Sequence, residues 1–255
     1  MYRTLPLGPT PPALLLIAHG SRDPRHAATV RALAARVRVA RPGTRVEVSF
    51  LDFDTESVPA VLDRLVAQGV REVVALPLLL TRAFHAKADI PAVLREVSVR
   101  HPRLRVVRAG VLGPSGLLLS AVERRLYEAG LRPADKSATG VVLASAGSTD
   151  PEAIAVIAEI ARELRHTGWC AVRPAFASAA LPRTEDVVRE LRASGVRRVA
   201  VAPYVLAPGR LPDRIARGAV AADVLADVLG DCEELAELVA LRYEESQART
   251  AVVAA

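Results

Sequence analysis

Five histidines occur in the 255 residues, and two of them stand where open parallel sheets place their ligands. His19 ends the apolar run in LLLIAHGSR (14–22), and His85 follows another in LLLTRAFHAKADIP (78–91). Asp52 closes a third, in VSFLDF (48–53). If each run is a β-strand, three strand ends deliver His, Asp and His to one rim. Two imidazoles and a carboxylate suit a borderline divalent cation such as Fe2+, Co2+ or Ni2+. A structural metal site closes its coordination sphere with four protein ligands, whereas these donors leave positions open for incoming atoms. Imidazole also titrates near neutral pH, so the same groups can take up protons that a ligand releases. A histidine after a strand can equally do no more than bond nearby backbone, and the choice rests on the rest of the chain.

The chain contains one unit written twice. LLLIAHGSRDP (14–24) matches VVLASAGSTDP (141–151), QGVREVVALPLLL (68–80) matches SGVRRVAVAPYVL (194–206), and GVLG (110–113) matches DVLG (227–230). In this alignment His19 faces Ala146, Asp52 faces Ser178, and His85 faces Leu211 across a short gap. All three donors belong to the first copy. Residues dispensable to the repeated framework, yet gathered at one rim, favour chemistry over backbone packing.

The elements that position them follow from periodicity. Short apolar runs at Ala13–Ala18, Arg45–Leu51, Glu72–Leu76 and Leu104–Arg108 predict strands. Between them Val30, Leu33, Ala34, Val37 and then Val58, Val61, Leu62, Leu65 recur at helical spacing. Fully apolar strands alternating with amphipathic helices imply parallel sheets covered on both faces. We therefore expect an α/β protein of two similar tandem domains, each a parallel four-stranded sheet flanked by helices. Residues 1–130 would form the domain with the metal site and 140–255 the degenerate copy, joined by the polar linker LRPADKSAT (131–139). Ser21 and Asp23 read as helix N-cap residues. His26, His101 and His166 read as solvated surface, and Trp169 as packing at a strand entrance.

The formal charge of +6 is nearly all arginine, with lysine only at 87 and 136. Scattered along helices, it reads as compositional bias rather than a nucleic-acid footprint. The lone cysteines Cys170 and Cys232 lack CxxC spacing, and Cys232 joins Leu235, Ala236 and Val239 as a packing stripe, consistent with a reducing cytoplasmic setting. ALLLIA (13–18) is too short for a signal sequence, and no apolar run reaches membrane-span length. We expect no nucleic-acid or membrane partner. No GxGxxG follows any strand, which argues against dinucleotide binding. Histidine phosphatases place an Arg before their first-strand histidine, where this chain has Ala18.

LLLIAHGSR, VSFLDF and PLLLTRAFHAKADIP in this order, with a degenerate second copy containing APYVLAPGRLPDRI (202–215), resemble the sirohydrochlorin chelatase family of class II tetrapyrrole chelatases. The resemblance spans roughly residues 12–245. It implies two flavodoxin-like chelatase domains about a cleft and insertion of a divalent metal into sirohydrochlorin, an octacarboxylated macrocycle. Fe2+ would give sirohaem; Co2+ insertion for cobalamin synthesis, or a non-catalytic metal or tetrapyrrole carrier, are the alternatives. The metal is substrate, and no organic cofactor is implied. The family's two active-site histidines carry over to His19 and His85. Its acidic residue, usually the Glu of an FLE triplet, falls on Asp52, one methylene shorter. The substrate carboxylates would meet Arg22, Arg82, Lys87 or Arg210, of which the arginines suit bidentate pairing. A fused pair of domains can work as a monomer or as a homodimer.

Overall fold

The computed structural model describes residues 11–53, 56–81 and 88–254. The first half runs β1 (Ala13–Ala18), α1 (Pro24–Ala40), β2 (Val46–Phe50), α2 (Val58–Ala67), β3 (Glu72–Pro77), α3 (Ile90–Arg100), β4 (Arg105–Arg108) and α4 (Gly116–Glu128). A 3-10 turn at Pro133–Ala138 leads to β5 (Thr139–Ser145), α5 (Pro151–His166), β6 (Ala171–Phe176), α6 (Thr184–Ala193), β7 (Arg198–Tyr204), α7 (Arg210–Gly218), β8 (Val224–Leu225) and α8 (Glu233–Ala254). The strands form two four-stranded sheets of order β2-β1-β3-β4 and β6-β5-β7-β8, parallel throughout. The α/β class and the two four-stranded parallel sheets are as the sequence predicts. In each sheet the order reverses beside the first strand of its half, which opens a crevice past the strand ends.

Alternation along β1 explains why each sheet needs two layers of cover. Ala13, Leu15 and Ile17 join Val61, Leu62 and Leu65 of α2 and Ile90, Leu94 and Val97 of α3 on the outer face. Leu14, Leu16 and Ala18 point inward to the expected stripe of α1, Val30, Leu33, Ala34 and Val37. In the second sheet Val142 and Ala144 likewise face α6 and Ile215 of α7, while Val141 and Leu143 face inward. The two inward faces belong to one continuous apolar core.

That continuity comes from an exchange of helices. α4, encoded in the first half, packs on β7 of the second sheet, and α8 from the second half packs on α1, β3 and β4 of the first. The two exchanged helices also pack on each other. Trp169 is buried before β6 as expected; it stacks on Tyr127 of α4 and donates to Glu123 at 3.1 Å. Thr167 (2.6 Å) and Lys136 (2.5 Å) meet the same carboxylate, whose pKa is lowered because these bonds outweigh its burial.

The VLG turns are held reciprocally. Arg242 of α8 reaches across to donate to the carbonyls of Val111 and Leu112, both at 3.0 Å. Arg125, in the matching place on α4, donates to the carbonyl of Leu229 at 2.8 and 3.2 Å. Each guanidinium thus caps the turn of the opposite copy. Arg242→Met keeps the apolar stem but strands two carbonyls, so urea unfolding is expected to show a loss of about 1.5–3 kcal/mol. Arg125→Met, which strands one carbonyl, is expected to lose less.

Candidate functional site

The crevices of the two sheets open toward each other into one cleft of about 780 Å³. The first lobe lines it with residues 19–22, His26, Phe53 and 78–81, the second with residues 145–148, Ala153, Ile154, Ile157, Phe176, Ser178 and 204–212.

His19 and Asp52 reach the rim through one tight local structure. The ladder between β1 and β2 continues past both strands, Leu51 N–H donating to the Ala18 carbonyl and Asp52 N–H to that of His19. At Gly20 the chain turns directly over Asp52, with φ +98°, and a Cβ there would lie 1.9 Å from the Asp52 carbonyl oxygen. Only glycine fits. Ser21 Oγ then accepts from Asp23 N–H, and Asp23 caps α1 by accepting from Arg25 N–H at 2.9 Å. Asp23 takes the capping role expected of it, whereas Ser21 closes the turn that leads into the cap.

The second copy repeats this backbone. A Cβ on Gly147 would lie 1.9 Å from the Ser178 carbonyl oxygen, Ser148 Oγ accepts from Asp150 N–H, and Asp150 caps α5. On the duplicated frame only the side chains differ. Where the first lobe carries His19 and Asp52, the second has Ala146, and Ser178 donates to the Ala146 carbonyl at 3.0 Å. Phe53 and its counterpart Ala179 share a positive φ of 62° and 60°.

His19 Nδ1 lies 4.0 Å from Asp52 Oδ2, with 42% and 57% of the two side chains exposed. The gap is too long for a hydrogen bond. Among the described residues no cluster of three or more His, Cys, Asp or Glu capable of holding a metal is assembled. His85, Arg82 and Lys87 lie outside the described residues. Arg22 and Arg210 both line the cleft, the Arg22 guanidinium lying 5.3 Å from the centroid of the Phe53 ring. Arg25 bridges the lobes, meeting Asp23 beside it at 2.6 Å and Asp213 of α7 at 3.0 Å.

His26 corrects the sequence reading. Expected on the solvated surface, it is half-buried in the cleft against Phe50, and its Nδ1 is buried with no hydrogen-bond partner. The signal was present, since His26 sits one turn before Val30 and extends the inward stripe of α1. His101 is also only partly exposed, bonding Asp63 at 2.7 Å.

The CbiX family profile matches residues 13–129 and again 140–246. The chain belongs to the CbiX family. It is 29% identical over 208 residues to the sirohydrochlorin cobaltochelatase of Priestia megaterium, covering 80% of this chain and 67% of that one. It is 29% identical over 206 residues to the sirohydrochlorin ferrochelatase of Bacillus subtilis strain 168, covering 80% and 78%. Its fold superposes on SirB from Bacillus subtilis, solved with Fe3+, at a TM-score of 0.81 and 25% identity over 94% of this chain and 97% of that one.

Two expectations follow for this CbiX-family site. Gly20→Ala should cost about 3 kcal/mol or more in urea unfolding, since backbone must shift and φ is positive, whereas Gly43→Ala, also at positive φ but with no atom within 4 Å of its Cβ, should cost about 1–2 kcal/mol. Burial, and then the charge of His19, lower the pKa of His26. The folded state therefore favours neutral His26 while the unfolded chain protonates near pH 6.5, so this contribution to stability is complete above about pH 6.5 and is lost as pH falls. Thermal melts between about pH 6.5 and 5 should show a shallower acid loss in His26→Gln than in wild type.

Proposed function

We propose that this protein is a sirohydrochlorin chelatase, which inserts a divalent metal into the macrocycle in the cleft between its lobes. One observation carries the reading: an imidazole and a carboxylate meet at 4.0 Å on the rim of an inter-lobe cleft, in a chain both of whose halves match the CbiX family. The ferrochelatase and cobaltochelatase relatives support the substrate and the reaction. Iron, giving sirohaem, is the metal we favour, with Co2+ and Ni2+ as the comparisons to run. No helix among the described residues is long and apolar enough to cross a membrane. We read the protein as cytoplasmic and active as a monomer or homodimer, and we divide it at the linker 131–139, a division that the two family matches support.

The reaction removes two pyrrole protons for each metal ion inserted. We assign the metal substrate to His19 and His85, with Asp52 offsetting its charge or orienting the His19 ring. As the metal passes from them to the macrocycle, the freed imidazole nitrogens accept the departing protons. Arg22 and Arg210 at the cleft, together with Arg82 and Lys87, meet the substrate carboxylates. Holding metal and macrocycle in one cleft turns a slow encounter into an effectively intramolecular step.

Anaerobic insertion assays with sirohydrochlorin and Fe2+, Co2+ and Ni2+ in turn test this reading. His19→Ala and His85→Ala should each lower turnover by about a hundredfold or more, with circular dichroism unchanged in His19→Ala because His19 sits half-exposed on the rim rather than in the core. Asp52→Asn should lose activity while Asp52→Glu, restoring the family's reach, should keep or raise it. Near-normal turnover in His19→Ala would overturn the assignment. The shorter acid at Asp52 favours one second reading, a carrier that binds metal and macrocycle without turnover, and multiple turnovers in the same assay exclude it.

A further inference from the structure

The second lobe lacks the imidazole and the acid, but it carries two hydroxyls that the first lobe lacks. β5 ends at Ser145 and β7 at Tyr204, and these residues are register partners in the parallel ladder. Their counterparts, Ala18 and Leu78, are apolar. Ser145 is 5% exposed and Tyr204 2% exposed, and both line the cleft. Tyr204 packs in the core that joins the lobes, and its hydroxyl is buried without a hydrogen-bond partner.

Packing alone does not account for this hydroxyl. A buried O–H left unpaired costs free energy that phenylalanine would avoid at the same volume. The hydroxyl is therefore best explained by a partner that enters the cleft. Leu78, Ile157 and Phe176 join Tyr204 in the core and line the cleft with apolar surface, and the arginines that line it lie past the strand ends, Arg22 in the loop after β1 and Arg210 at the start of α7. Burial holds the phenol well above its ordinary pKa, with the charge of Glu163 adding to the effect, so it remains a donor.

Resting on the chelatase reading, we propose that Tyr204 and Ser145 form a carboxylate subsite at the floor of the cleft, which holds one peripheral acid arm of the macrocycle. Sirohydrochlorin carries carboxylates around its whole rim, so whichever edge enters the cleft brings acceptors to the floor. Hydroxyl donors bond a carboxylate strongly in such surroundings. Arms nearer the mouth are left to the guanidiniums. Recognition is thereby divided between the lobes, the first binding the metal and the second fixing the edge of the ring.

The test is equilibrium binding of metal-free sirohydrochlorin, followed anaerobically through its own absorbance, to wild type, Tyr204→Phe and Ser145→Ala. Tyr204→Phe should raise Kd about tenfold, and Ser145→Ala should move it less in the same direction. In turnover the loss should fall on KM more than on kcat. The ligand-free thermal midpoint of Tyr204→Phe should equal or exceed that of wild type, because the substitution removes an unpaired buried hydroxyl. With the octamethyl ester of the macrocycle, the gap between wild type and Tyr204→Phe should narrow to within about twofold, since the charged acceptor is gone. An unchanged Kd for the free acid, or a lowered midpoint with unchanged affinity, would overturn the subsite. Wild-type turnover with an unaffected Tyr204→Phe refutes the subsite alone, whereas a wild type that neither binds nor metallates the macrocycle refutes the chelatase reading and the subsite with it.

Discussion

Neither sheet buries its inner face with its own half of the chain alone. α4 covers the second sheet and α8 the first, and the two inner faces merge into one core. The cleft depends on this exchange. Its floor is the top of that shared core, with Leu78 from one lobe and Tyr204 from the other, and its walls are the loops past the two sets of strand ends. The cross-lobe bonds of Arg125 and Arg242 fix the turns beneath, so the position of one lobe on the other is set by buried groups rather than by surface ion pairs alone. Positioning of this kind matters for a reaction whose rate depends on holding two partners in register.

On this frame the rim chemistry is an overlay. Gly20 and Gly147 make the same close approach, Ser21 and Ser148 the same turn, Asp23 and Asp150 the same cap. At these positions the two rims share one backbone. The distinction lies in His19 against Ala146, Asp52 against Ser178, and, deeper in, Ala18 and Leu78 against Ser145 and Tyr204. His26 adds a second described imidazole to the first lobe's side of the cleft, its pKa lowered by burial and then by the charge of His19.

Much of this was legible in the sequence because burial has a period. The strand β1 and the buried stripes of α1 and α2 coincide with the predicted runs, since local alternation and helical spacing decide them. The pairing of His19 with Asp52 was legible for another reason: the duplication supplied an internal control that lacked both. The helix exchange was not visible. Leu118, Ala121, Val122 and Leu126 give α4 an inward stripe that reads the same whichever sheet it covers, and the choice is made by long-range packing. His26 was missed because a polar residue in a first helical turn resembles surface until the next turn is seen to be core. Tyr204 read as one more apolar strand residue, and only its unpaired hydroxyl marks it out.

The internal duplication has a consequence for how such a site can change. In a symmetric pair of identical chains, every substitution appears on both sides of the interface, so a group useful on one wall is imposed on the other. Joining the copies in one chain removes that obligation. Here one wall carries an imidazole and an acid, and the opposite wall carries a phenol instead. Two surfaces built on one repeated frame are free to differ in their chemistry.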